Sequence, residues 1–300
     1  MSEPILVTRG LAARYGRRRV LDGVDLELEA CTVTALVGCN GAGKTTLLSV
    51  LAGVLPRDGG EVRVLGLDPR RRGTELRAAV GWMPDRLAFP RWMRVEDSLR
   101  LAEPFYPTWS RSEERRLLEL LGLDRRARLS ALSKGERNKH ALLLALAHEP
   151  RLLLLDEPFA GLDPAARREV LGALLQSLRE AGRTVLLSSH SLADLERAAD
   201  RLALLQDGRI RRQGELERLR ASFARVAVTL RDPAAVWTAP GRPRIERGGA
   251  ELTLVYDDWR AEYEELLGRD PAVAGHRLLA RDFEELFLSL AGERSRPCAA

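Results

Sequence analysis

Apolar positions along this chain fall into short runs split by turn residues, with longer helical stretches in the middle. Residues 4–37 read as strands with tight turns and end in the run Thr34-Ala-Leu-Val37. A glycine-rich loop and a helix to about Leu51 follow, and residues 61–84 predict a strand, a short helix and another strand. From 95 to 148 the spacing turns helical, with Leu117, Leu118, Leu120 and Leu121 on one face and a second apolar helix after Ser133. Residues 152–155 and 185–188 are short and continuously apolar, as buried strands are. Between them a helix begins after Pro164, whose fixed φ suits a first turn. Asp207-Gly208 between two strand-like runs is a hairpin signal.

Strand-helix alternation of this kind predicts an α/β fold with a mostly parallel sheet covered by helices. The character changes near residue 222. Strands at 226–230 and 252–256 flank a Pro/Gly-rich stretch at 240–249, and helices are expected at 259–267 and 283–290. The expected division is therefore a main domain over 1–222, with a helical subdomain at about 86–148, and a small accessory domain over 223–300. The segment 283–290 is amphipathic, and packing against the main domain, a dimer contact and a regulatory contact are open readings.

Composition narrows the class. With 45% hydrophobic and 30% charged residues the chain reads as globular. The longest apolar run, 141–147, falls far short of the ~20 residues a membrane-crossing helix needs. No export leader is expected, since Arg9 and Arg14 follow directly on the first residues. The net charge of +5 comes from arginines that alternate with acids, which reads as solvated surface, and no nucleic-acid partner is expected. Cys31, Cys39 and Cys298 show neither paired nor metal-ligand spacing, as suits a reducing cytoplasm. The only lysines are Lys44, Lys134 and Lys139, so each position is informative.

Gly38-Cys-Asn-Gly-Ala-Gly-Lys-Thr45 fits the phosphate-binding pattern G-x-x-x-x-G-K-[ST], between an apolar strand and a helix. Glycines let successive N–H groups curl around a polyphosphate, and the helix N-terminus adds partial positive charge. Lys44 reaches the β- and γ-phosphates, and the Thr45 hydroxyl suits Mg²⁺. A second signal is the strand 152–155 delivering Asp156 and Glu157. Asp156 stands where such enzymes hold Mg²⁺, and Glu157 is placed to polarise a water as general base.

Together these residues resemble the nucleotide-binding subunit of an ATP-binding-cassette (ABC) transporter, a P-loop NTPase fold with a mixed sheet core, an antiparallel β subdomain and a helical subdomain. Further segments carry the resemblance over residues 4 to about 222. Tyr15 stands where the family has an aromatic that stacks on adenine. Leu132-Ser-Lys-Gly-Glu136 resembles the signature loop LSGGQ, Gly161-Leu-Asp163 the loop after the catalytic acid, and His190 the switch histidine. The resemblance implies ATP bound by Gly38, Asn40, Gly41, Ala42, Gly43, Lys44, Thr45 and Thr46, with Tyr15 on the base. It implies Mg²⁺ near Thr45, Asp156 and Asp85, and catalysis by Glu157, His190 and Lys44. It further implies pairing with itself or a homologous cassette, so that Ser133 and Gly135 contact the γ-phosphate across the interface and Asp163 couples the two sites.

There are departures from the pattern. Asp85 occupies a lid position where glutamine is usual; it is shorter and adds negative charge. Lys134 and Glu136 stand where glycine and glutamine are common, and Lys134 either adds charge beside the γ-phosphate or faces solvent. Cys39 sits at a variable position of the loop. Trp82, Phe89, Trp92, Phe105, Tyr106 and Trp109 crowd one stretch, either as subdomain core or as a groove for a membrane partner. Phe105-Tyr-Pro-Thr-Trp109 also resembles bacterial exporters whose ATPase and permease are separate chains.

The resemblance thus implies an ATPase that drives a separately encoded transmembrane permease, outward, from the cytoplasmic face of the cell membrane. The alternatives are a cassette acting on ribosomes or nucleic acid, and a regulatory cassette that holds ATP without turnover. Ribosome-acting relatives usually carry two cassettes, and DNA-acting ones insert long coiled coils where this chain has only about 90 residues between Lys44 and Ser133. Lys44, Asp156, Glu157 and His190 argue against a silent cassette; Asp85 alone favours it.

Overall fold

The computed structural model describes residues 4–90, 92–189, 196–232, 237–248 and 251–279. It separates into two compact units, Met1–Gln213 and Gly214–Ala300. The division falls ahead of residue 222, because helix Leu216–Ala221 groups with the second unit. It lies inside the final strand of the first unit, Arg209–Glu215, which has little buried surface.

The first unit is built on strands β1 (Leu6–Tyr15), β2 (Arg18–Leu28), β3 (Val33–Val37), β4 (Gly59–Val64), β5 (Val80–Met83), β6 (Leu152–Asp156), β7 (Thr184–Ser188), β8 (Arg201–Gln206) and β9 (Arg209–Glu215). Its helices are α1 (Lys44–Leu51), α2 (Gly73–Ala79), α3 (Val95–Ala102), α4 (Arg111–Leu120), α5 (Lys134–Leu146) and α6 (Pro164–Ala181). Six strands form a sheet in the order β5-β6-β7-β3-β8-β9. The pairs from β5 to β8 are parallel. Every residue of β3, β6 and β7 is buried, which is why their sequences are mainly apolar with no alternation. The turn between β8 and β9 has Asp207 and Gly208 both at positive φ, 50° and 72°, the geometry of the hairpin expected there.

A second sheet, antiparallel in the order β2-β1-β4, shares its core with the first. Leu11, Leu21 and Leu26 pack with Leu47 and Leu48 of α1 and with Leu154 and Leu186 of the parallel sheet. Each such fully buried leucine contributes about 1.5–3 kcal/mol. This core fixes α1 beneath the carboxyl ends of β3, β6 and β7. Those ends bring the glycine-rich loop, Asp156 and Ser188 to one edge, where open α/β sheets bind ligands.

The second unit is an antiparallel sheet in the order β11-β12-β10-β13, formed by β10 (Ala224–Leu230), β11 (Arg244–Gly248), β12 (Glu251–Tyr256) and β13 (Val273–Leu278). Its core gathers Val226, Val228, Leu254 and Tyr256 against Leu267 of helix Ala261–Arg269. That helix starts after the expected Trp259, because Trp259 packs edge-on against Tyr256 at 5.0 Å instead of entering the helix. The segment 283–290 lies outside the described residues.

Candidate active site

The glycine-rich loop leaves β3 at Gly38 and enters α1 at Lys44. Gly41 and Gly43 have φ of 81° and 107°, a backbone in which a side chain is strained. At Gly43 a Cβ would also lie 2.9 Å from Leu21 Cδ2, and at Gly38 one would lie 2.3 Å from Leu205 O. The first glycine therefore allows close approach of β8, and the later ones shape the curl of N–H groups at the helix start. Lys44 is buried; its Nζ donates to Gly38 O at 2.7 Å and reaches Cys39 O at 3.5 Å. This holds the ammonium over the loop. Thr45 is exposed beside it, while Thr46 is buried.

The β6–β7 register sets Asp156 opposite Ser188. Ser188 Oγ donates to Asp156 Oδ1 at 2.6 Å and accepts the Glu157 N–H at 3.0 Å. Asp156 Oδ2 is buried without a hydrogen-bond partner among the described residues. A buried carboxylate oxygen in that condition is costly unless a cation or bound water meets it. Among the described residues no cluster of three or more His, Cys, Asp or Glu would hold a metal alone. The donor set suits Mg²⁺, which takes one or two carboxylates and completes its shell with waters and substrate phosphates. Glu157 leaves the strand at φ 52°, a strained conformation costing about 1–3 kcal/mol of the kind that gathers at functional sites.

One cavity of about 540 Å³ collects the loop residues Asn40, Gly41, Gly43, Lys44, Thr45 and Thr46 with Asp156 and Glu157. Tyr15, 68% exposed, and Asp85 also line it. Gly38, Ala42, Ser133, Gly135 and Asp163 lie outside its lining, and His190 lies outside the described residues. Arg18, Val20, Lys134 and Ala160 line it too; Lys134 was weighed from sequence as a charge beside the γ-phosphate, and the other three were not singled out for this cavity. For Arg18 the only signal was its place in a short arginine run.

The signature-like loop opens α5 as a capping box. Ser133 Oγ accepts the Glu136 N–H at 3.1 Å, and Glu136 Oε2 accepts the Ser133 N–H at 2.8 Å. The bond from the Ser133 amide holds the Glu136 carboxyl below its usual range. Glutamate at this position therefore caps the helix. Asp163 does the same for α6: its Oδ1 accepts the N–H of Ala165 and Ala166 at 2.8 and 2.9 Å, which lowers its pKa. Helix α5 is tied to the loop ahead of α6, since Asn138 Nδ2 donates to Ala160 O at 2.8 Å.

The aromatic stretch divides. Trp82, Phe89 and Tyr106 line a smaller cavity of about 280 Å³ with Leu87, Ala102 and Leu144. Trp109 is tied inward through Nε1 to Glu114 Oε2 at 3.0 Å, and Tyr106 stacks on buried His148 at 4.1 Å. Trp92 and Phe105 are 72% and 69% exposed. The stretch is thus packed inward at Tyr106 and Trp109 and exposed at Trp92 and Phe105.

Fold and cavity define a P-loop nucleotide-binding cassette. Residues 21–160 match the family described as ABC transporter. The aliphatic sulfonates import ATP-binding protein SsuB 2 of Xanthomonas axonopodis pv. citri is 38% identical over 68% of this chain and 69% of its own length. The Nod factor export ATP-binding protein I of Ralstonia nicotianae is 31% identical over 98% of this chain and 96% of its own. A solved structure described as the ATP binding subunit of an ABC transporter superposes with a TM-score of 0.66 and 30% identity, covering 72% of this chain and 92% of that one. The chain belongs to the ATP-binding proteins of ABC transporters. It binds ATP and is an ATPase of that family, whose cassettes dimerise and work with membrane permeases. Among the described residues no helix is long and apolar enough to cross a membrane.

Proposed function

We propose that this chain pairs with itself or a homologous cassette around two ATP molecules and drives a separately encoded permease outward, from the cytoplasmic face of the cell membrane. The observation that carries the catalytic part is the single cavity uniting Tyr15, the glycine-rich loop, Asp85, Asp156 and Glu157. Tyr15 stacks on adenine, loop N–H groups and Lys44 hold the phosphates, and Glu157 accepts the proton of the attacking water. Thr45, Asp156 and Asp85 would hold Mg²⁺, which would supply positive charge to offset that of the phosphates. Ser133 and Gly135 of the paired cassette face the γ-phosphate, His190 contacts it from its own chain, and Asp163 couples the two sites.

The outward direction is supported by extent of likeness. The export relative aligns along 98% of this chain, so the likeness includes the second unit, whereas the import relative aligns along 68%. The apolar cavity at Trp82, Phe89 and Tyr106, beside the lid position, has the character of a groove for a short helix of the permease.

The test is an affinity pull-down of tagged protein from mildly solubilised native membranes, with co-purifying chains identified by mass spectrometry. A multi-span membrane protein in near-stoichiometric amount is expected. Recovery of ribosomes, of DNA-bound complexes or of the bait alone overturns the transport reading.

A further inference from the structure

Asp85 and Lys134 come from separate parts of the chain and meet at the same two cavities. One is the nucleotide cavity. The other, about 550 Å³, lies between the loop at 84–89 and the start of α5. Lys134 is the first residue of α5, where the helix dipole opposes a cation. A purely local role does not account for lysine there. Its side chain lies along Gly161: a Cβ at Gly161 would be 2.5 Å from Lys134 Cδ and 3.0 Å from Nζ. Gly161, at φ 69°, is thus a glycine both for its backbone and for the lysine that crosses it.

Charge at the nucleotide cavity is balanced only with Lys134 included. Its charged lining residues are the cations Arg18, Lys44 and Lys134 and the carboxylates Asp85, Asp156 and Glu157. Lys44 Nζ donates to Gly38 O and is the cation assigned to the phosphates. Lys134 makes no ion pair among the described residues, and the one ion pair of Asp85 is a 3.9 Å approach to Arg86, which is almost wholly in solvent. We propose that Lys134 acts in cis as a positioning residue: it offsets the negative charge Asp85 brings to the cavity of its own chain, and so sets that chain's affinity for nucleotide. This rests on the reading of the cavity as the nucleotide site. It differs from a contact across a dimer, because it operates in a single chain.

The experiment titrates Mg·ADP into dilute full-length protein, shown to be monomeric by sedimentation, for Lys134→Ala, Lys134→Gln, Lys134→Arg, Asp85→Asn and the Asp85→Asn/Lys134→Ala pair. Lys44→Ala is run beside them. The expected result is an affinity about fivefold to tenfold weaker in Lys134→Ala and Lys134→Gln, with Lys134→Arg preserved, since a positive charge in partly solvated surroundings is being removed. In the Asp85→Asn background Lys134→Ala costs less than about twofold, against the fivefold to tenfold it costs in the parent, the non-additivity a shared electrostatic role requires. Unchanged ADP affinity in Lys134→Ala, or additive effects in the double variant, overturns the pair while Lys44→Ala still loses binding. If Lys44→Ala also binds normally, the cavity assignment fails and the pair falls with it.

Discussion

Ser188, at the end of β7, holds Asp156 of β6 by a 2.6 Å hydrogen bond to Oδ1, and the same hydroxyl accepts the N–H of Glu157. One buried side chain thereby orients both acids of the site. Ser188→Ala removes the partner of a buried carboxylate oxygen and of a backbone amide. The expected outcome is a loss of about 1–3 kcal/mol of stability and a drop in ATP turnover of roughly tenfold. Denaturant unfolding and steady-state phosphate release check the two parts separately; wild-type turnover would deny Ser188 this role.

The glycines of the phosphate loop are not equivalent. Gly43 combines φ 107° with a crowded Cβ position, whereas Gly41, at φ 81°, has nothing within 4 Å of its own. Gly43→Ala is expected to cost about 1–3 kcal/mol and to weaken nucleotide binding at least ~10-fold, because Leu21 and Val20 must move. Gly41→Ala is expected to cost about 1 kcal/mol from backbone strain alone. Thermal melting and nucleotide titration of both variants check the order.

His140 and His148 are buried, and burial pushes both down to about 4. Both are neutral in the folded chain above that pH, while the unfolded chain protonates them below their ordinary value near 6.5. Unfolding therefore takes up protons, and stability falls as pH drops from 6.5 toward 4, by up to ~1.4 kcal/mol per unit for each histidine. Asp68 acts in a lower window. Its bond to Arg57 holds it down to about 2, so its contribution is present above 3.8 and is lost only as pH falls toward 2. His140→Gln keeps a hydrogen-bonding group for Ser98, which contacts Nε2 at 2.7 Å, and should remove about one histidine's share of the slope. Denaturant unfolding at pH 7 and pH 5 measures it; an unaltered slope would contradict the assignment.

The fully buried strands were readable because burial on both faces leaves continuous apolar runs, and Asp207-Gly208 was readable because its turn demands those residues. β11 and β13 were not expected. Arg244–Gly248 mixes arginine and glutamate around one isoleucine at the sheet edge, and Val273–Leu278 contains Gly275 and His276; both gain strand character from pairing rather than propensity. In the site, Lys44, Thr45, Asp156 and Glu157 were legible because each sits beside its own motif. Ser188 was not, since its bond to Asp156 depends on the β6–β7 register. Lys134 was legible as an oddity, but its reach into its own chain's cavity depends on how α5 packs against the loop at Gly161. Tyr15 was legible only through the family resemblance.

The most direct test of composite nucleotide sites uses Glu157→Gln, which removes the general base while leaving the phosphate loop intact. Turnover should fall by a factor on the order of 10²–10⁴, and sedimentation velocity at saturating Mg·ATP should show a stable dimer. A protein that binds ATP with normal affinity yet sediments only as a monomer would contradict the account.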